Sequence, residues 1–178
     1  MRSKRGMQWV WTLVLILASS ALGEEAHPLL KPGSALPTLT GQTLNGKSLE
    51  IPASDRGEVA VAIFSFSRAG GRDARNWGQR FSKDYPHLVV YNVIFLESVP
   101  RLFRPMVAAA IRSGMPASMQ DRTLLLYRQQ TLWEHMLQLK EDNYACVIVL
   151  GPTGLLRWMS SGPFTEAVYA RLRTEVGP

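Results

Sequence analysis

The chain has 178 residues, 46% hydrophobic and 19% charged, a balance that fits one globular domain and excludes a disordered polyelectrolyte. Its formal charge of +6 is unevenly placed: without Arg2, Lys4 and Arg5 at the N-terminus, 17 basic residues face 14 acidic ones, a net +3, so the charge gives no ground to expect a nucleic-acid partner. Cys146 is the only cysteine, so no internal disulfide can form and stability must come from the core.

The basic start leads into "WVWTLVLILASSALG", with small residues at Ala21 and Gly23, which is the form of a secretory signal over 1–23. A spanning helix needs about 20 apolar residues, and Ser19, Ser20 and Gly23 weaken the end of this one, which favours cleavage before Glu24 over a retained anchor. The expected location is outside the cytoplasm: periplasmic, membrane-associated facing the periplasm, or organellar. Residues 24–32 read as an extended arm ahead of a domain over 33–178.

Asn45-Gly46, between Leu44 and Leu49, predicts a two-residue hairpin turn, because both residues accept positive φ. The run "EVAVAIFSFS" (58–67) predicts a strand buried on both faces. In "RAGGRDARNWGQRFSKDY", Ala74, Trp77, Gly78, Phe81 and Tyr85 fall on one face of a helix, and a second strand follows at "LVVYNVIFLE" (88–97).

Residues 101–113 carry a helical stripe of Leu102, Phe103, Met106, Val107, Ala110 and Ile111, with Gly114 as its stop and Pro105 suited only to a first turn. Such a stripe usually faces a core; an exposed apolar face is the alternative. "RTLLLYRQQ" is open between strand and helix, and 131–140 predicts a helix with Leu132, Trp133, Met136 and Leu137 inward. A buried strand at 144–150, a Gly151–Gly154 turn and a returning strand at 155–160 precede a last helix starting near Pro163, striped by Phe164, Val168, Leu172 and Val176.

This order resembles the thioredoxin-like arrangement over roughly 33–176: an α/β three-layer sandwich with a central mixed sheet and an N-terminal hairpin extension. "KPGSALPTLTGQTLNGKSLEI" is similar to the lead-in of the peroxiredoxin and thiol-reductase branch. "YACVIVLGPTGLLRWMSSGPFTEAVYARL", with Arg157, Trp158, Gly162 and Glu166, resembles the end of the thioredoxin-like assembly factors of the mitochondrial F-type ATP synthase, which also lack redox cysteines.

Laid on this chain, the redox pattern puts its two cysteine positions at Ala69 and Arg72, within a residue, so that C-x-x-C has become Ala69-Gly70-Gly71-Arg72. Neither residue is a nucleophile, and a hydroxyl such as Ser67 does not reduce peroxide. The cis-proline that redox members of the superfamily carry before the strand at 144–150 has no counterpart in Asn143-Tyr144-Ala145. Cys146, among Val, Ile and Leu, reads as a packing residue.

Gly70-Gly71 at a helix start, beside Arg68, Arg72 and Arg75, offers either an anion cradle or a small turn among solvated arginines. Arg157 and Trp158 are adjacent on one strand and are expected to point to opposite faces: either Trp158 is exposed as a contact anchor, or Trp158 lies in the core and Arg157 in water. His27, His87 and His135 are scattered, no metal-ligand spacing appears, no Gly-x-Ser-x-Gly elbow exists, and no cofactor is called for. The resemblance implies a non-catalytic, assembly or chaperone-like factor that binds a protein client at a membrane. Two readings compete with it: an atypical thioredoxin- or peroxiredoxin-like antioxidant enzyme, and an anion-binding module at Gly70-Gly71.

Overall fold

All six side chains of β3 (Ala60–Ser65) are buried, because this strand lies inside the sheet with a helical layer on each face. In the computed structural model, which describes residues 28–52 and 57–177, β3 is flanked by parallel β4 (Val89–Phe95) and antiparallel β6 (Cys146–Leu150). Around this trio lie the hairpin β1 (Leu39–Thr43) and β2 (Ser48–Ile51), with β5 (Thr123–Leu126) and β7 (Leu156–Ser161). The seven strands follow the order β2-β1-β5-β4-β3-β6-β7. The signal-like segment and the first residues of the arm lie outside the described residues.

Period-2 alternation divides the sheet into two cores. On one face Ala60, Ala62, Phe64, Cys146, Ile148 and Leu150 meet Trp133, Met136 and Leu137, from α4 (Gln130–Met136) and its C-terminal edge, with Leu30 and Leu36 of the N-terminal segment. Phe64 and Trp133 stack there at 5.5 Å between ring centres. On the other face Val61, Ile63, Val147 and Val149 meet α1 (Arg68–Asp84) through Ala74, Trp77 and Phe81, and α5 (Glu166–Val176) through Tyr169 and Leu172.

A third, smaller cluster seats α2 (Arg104–Ser113) through Val107, Ala108 and Ile111 on Leu44, Leu96 and Leu125. A short α3 (Ala117–Gln120) joins α2 to β5. The Thr123 hydroxyl, fully buried, donates to the Met119 carbonyl at 2.8 Å and so ties α3 to the sheet.

Several sequence expectations change. Four residues, 44–47, separate β1 from β2: Gly46 N–H donates to the Thr43 carbonyl, Thr43 N–H to the Lys47 carbonyl, and only Gly46 has positive φ, at 76°. This is a type I turn followed by a left-handed glycine. The ambiguous "RTLLLYRQQ" supplies β5, parallel to β4. The last helix begins at Glu166, capped by the Thr165 side chain rather than started by Pro163.

The largest departure is the stripe over 101–113. Val107 and Ile111 face the core, whereas Leu102, Phe103 and Met106 are exposed at 83%, 49% and 65%. Residues Arg101–Phe103 form a 3-10 turn ahead of α2. At three residues per turn it puts Leu102 and Phe103 out of phase with the helix that follows.

Candidate functional site

The junction between β3 and α1 is where the sequence places its missing chemistry. Ser67 caps α1 in extended backbone, φ −140°, ψ 172°, and its hydroxyl oxygen accepts the Gly70 N–H at 3.0 Å. The same hydroxyl donates to the Asp142 carbonyl at 2.6 Å. The best nucleophile candidate at this helix start is therefore committed to a capping role and to the loop ahead of β6.

The two glycines do different work. A Cβ on Gly70 would stand 2.8 Å from the Asp142 carbonyl oxygen and 3.1 Å from that of Tyr144, so Gly70 lets the loop lie directly on the helix. A Cβ on Gly71 would meet nothing within 4 Å. Arg68 and Arg72 are exposed and Ala69 is half-buried.

One turn further on, Asp73 receives the Ala145 N–H on Oδ2 at 3.1 Å and the Phe164 N–H on Oδ1 at 3.3 Å. Its carboxylate thus joins α1 to the start of β6 and to the segment leading into α5. The first two turns of α1 form a structural joint among three chain segments. Ser67 is a standard capping type at a strand–helix boundary, which sequence reasoning can find. The partners of Asp73, 72 and 91 positions away, leave no local signal.

Cys146 lies on the opposite face of the sheet from α1, fully buried against the α4 layer. Burial pushes its thiol up to about 12, which keeps it protonated and unreactive at neutral pH. Among the described residues no group of three or more His, Cys, Asp and Glu is placed to hold a metal ion. His87 and His135 are both exposed; His27 is outside the described residues.

Arg157 and Trp158 do not point to opposite faces. Val149 pairs with Trp158 and Leu150 with Leu156, so Arg157 is the extra residue of a β-bulge. Both side chains consequently reach the last turns of α5. Arg157 donates to the Glu175 carbonyl at 3.3 Å, a cation at a helix C-terminus, and half-buried Trp158 lines a shallow depression of about 380 Å³ with Ala170, Arg171, Thr174 and Glu175. The pair belongs to the β7–α5 flank, while Arg68, Gly70, Gly71 and Arg72 belong to the α1 start.

Residues 32–174 match the family model described as ATP10 protein. The chain belongs to the ATP10 protein family. No curated protein matches it. Among solved structures it is similar to the thioredoxin domain of a thiol-disulfide oxidoreductase from Bacteroides vulgatus, at 16% identity over 83% of this chain and 99% of that one, TM-score 0.59. A peroxiredoxin-like protein from Aquifex aeolicus matches at 12% identity over 84% of this chain and 90% of that one, TM-score 0.56. BsSco, a member of the Sco family of cytochrome c oxidase assembly proteins, matches at 18% identity over 83% of this chain and 95% of that one, TM-score 0.55.

These likenesses show the fold: this ATP10 family chain is thioredoxin-like. Family membership supports an assembly-factor role. The ATP10 family chain has at its α1 start the residues Ser67-Arg68-Ala69-Gly70-Gly71-Arg72, which cap, pack and carry charge but hold no thiol.

Proposed function

We propose that this chain is a non-catalytic assembly factor that holds a protein client at a membrane, outside the cytoplasm. The observation that carries the reading is the separation of the only thiol from the position where this fold does thiol chemistry. Cys146 is fully buried on the α4 side of the sheet, whereas α1 opens on Ser67, Ala69 and Arg72 on the other. Dithiol exchange needs two sulfurs at an accessible helix start. A fold kept without that pair offers its surface instead.

Exposed arginines at the α1 start and on the β7–α5 flank are the groups most available to a client, because guanidinium forks recognise carboxylates with directional bonds. Crosslinking in the native membrane fraction, followed by mass spectrometry, tests the proposal. A protein partner enriched over a mock-tagged control in every replicate supports it. The absence of any enriched protein, or peroxide or insulin-disulfide reduction abolished by Cys146→Ser, contradicts it.

A further inference from the structure

The described residues contain five exposed large apolar side chains, and three of them, Leu102, Phe103 and Met106, fall within five consecutive positions at the start of α2. At 83% exposure Leu102 stands proud of the surface, so the group is a knuckle rather than the lining of a groove. A knuckle suits insertion into a deformable medium better than reception of a partner helix, which needs a concavity.

The knuckle is rigidly mounted. Arg104 donates to the Val99 carbonyl at 3.0 Å and lies over the Tyr127 ring, 4.8 Å from its centre. At the far end of α2, Arg112 donates through Nε to the Leu44 carbonyl at 2.9 Å. The opposite side of α2 is occupied by the third core cluster, so turning the exposed residues inward would uncover Val107 and Ile111.

Between Glu97 and Asp121 the stretch that carries the knuckle bears charge of one sign. From residue 98 to residue 120 there is no Asp or Glu, while Arg101, Arg104 and Arg112 lie in the same stretch. Arg101 is exposed and immediately precedes Leu102. Apolar side chains standing out beside a guanidinium, with no acid in the same stretch, match an interface whose headgroups are negative and whose interior is hydrocarbon. No helix among the described residues is long and apolar enough to cross a membrane.

We propose that the α2 knuckle, Leu102, Phe103 and Met106 with Arg101, is a docking surface for anionic lipid bilayers. The insertion is shallow and reversible, and it orients the sheet relative to the membrane. This rests on the exposed residues themselves and is independent of whether the chain holds a client.

The test uses the full chain and a site-specific probe, because the apolar N-terminal segment can bind vesicles by itself. A Leu102→Cys variant labelled with an environment-sensitive fluorophore reports the knuckle; Cys146, buried, stays unlabelled in the folded protein. His135→Cys, on the α4 side, serves as the reference position. With phosphatidylcholine vesicles containing phosphatidylglycerol, the probe at 102 is expected to shift to the blue and be quenched by lipid-borne nitroxide, whereas the probe at 135 stays in water.

Adding Phe103→Ser with Met106→Ser is expected to lower the lipid quenching at 102 by about tenfold or more, with near-ultraviolet circular dichroism unchanged because these side chains support no core. Arg101→Glu is expected to weaken it several-fold. A probe at 102 that remains in water while the protein sediments with vesicles overturns the proposal. So does equal quenching at 102 and 135, equal quenching by phosphatidylcholine alone, or a shift seen only when a membrane protein is added.

Discussion

The Ser67 hydroxyl donates to the Asp142 carbonyl at 2.6 Å while its oxygen accepts the Gly70 N–H at 3.0 Å, so one side chain both starts α1 and fixes the loop ahead of β6. Ser67→Ala removes a cap and leaves a carbonyl without its donor. The expected loss is about 1–2 kcal/mol of unfolding free energy, with Ser67→Thr recovering part of it. Urea unfolding followed by circular dichroism measures both.

The adjacent glycines are expected to respond with opposite signs. Gly70→Ala drives a methyl to within 2.8 Å of a backbone oxygen and is expected to cost about 2 kcal/mol or more, as overpacking against backbone does. Gly71→Ala puts its methyl in open space inside a helix and is expected to stabilise by about 0.5–1 kcal/mol. Parallel thermal melts decide it; equal effects would show that the loop does not rest on Gly70.

Asp73→Ala removes one acceptor from two backbone N–H groups, those of Ala145 and Phe164. The expected cost is about 2 kcal/mol, with faster amide exchange at Ala145 and Phe164 than at Val147. Exchange followed by nuclear magnetic resonance separates this local loosening from a uniform loss of stability.

How much of this was legible in the sequence depends on the range of the interaction. β3 and α1 were readable because apolar runs and a helical stripe are local, and Trp77 and Phe81 face the core as their spacing requires. Leu102 and Phe103 were misread because a 3-10 turn changes the period within the stripe. The Arg157–Trp158 relation was misread because a bulge is a property of two paired strands. Cys146 was readable as buried from its neighbours, but its position on the face opposite α1 needed the register of β6 against β3.

Cys146 carries a pH prediction. Burial raises its pKa from the ordinary 9.0 to about 12 in the fold, so the unfolded thiol ionises first. Stability from this group is complete below about pH 9 and declines as pH rises toward 12. Cys146→Ala is expected to flatten that part of the profile, measured by urea unfolding at a series of pH values. Ellman's reagent at pH 8 is expected to react with the wild type only at the rate of unfolding.

At acid pH the relevant group is Asp121, whose carboxyl accepts from Lys47 at 2.6 Å and from Asn45 at 2.7 Å. The Lys47 bond, then that of Asn45, hold its pKa below the ordinary 3.8. Its contribution is present above pH 3.8 and is lost as pH falls through the lower folded value. Both partners are exposed, so the effect is small and shrinks with salt. Asp121→Asn is expected to remove it, leaving a shallower acid limb in low-salt titrations.

The central claim is that this ATP10 family chain holds a client through its surface without thiol chemistry. Its most direct test is quantitative crosslinking with mass spectrometry in the native membrane fraction, wild type against Cys146→Ala at matched expression. The same enriched partner, with unchanged yield, is expected. Loss of that partner in the folded variant, or its recovery only as a reducible disulfide conjugate, would contradict the account.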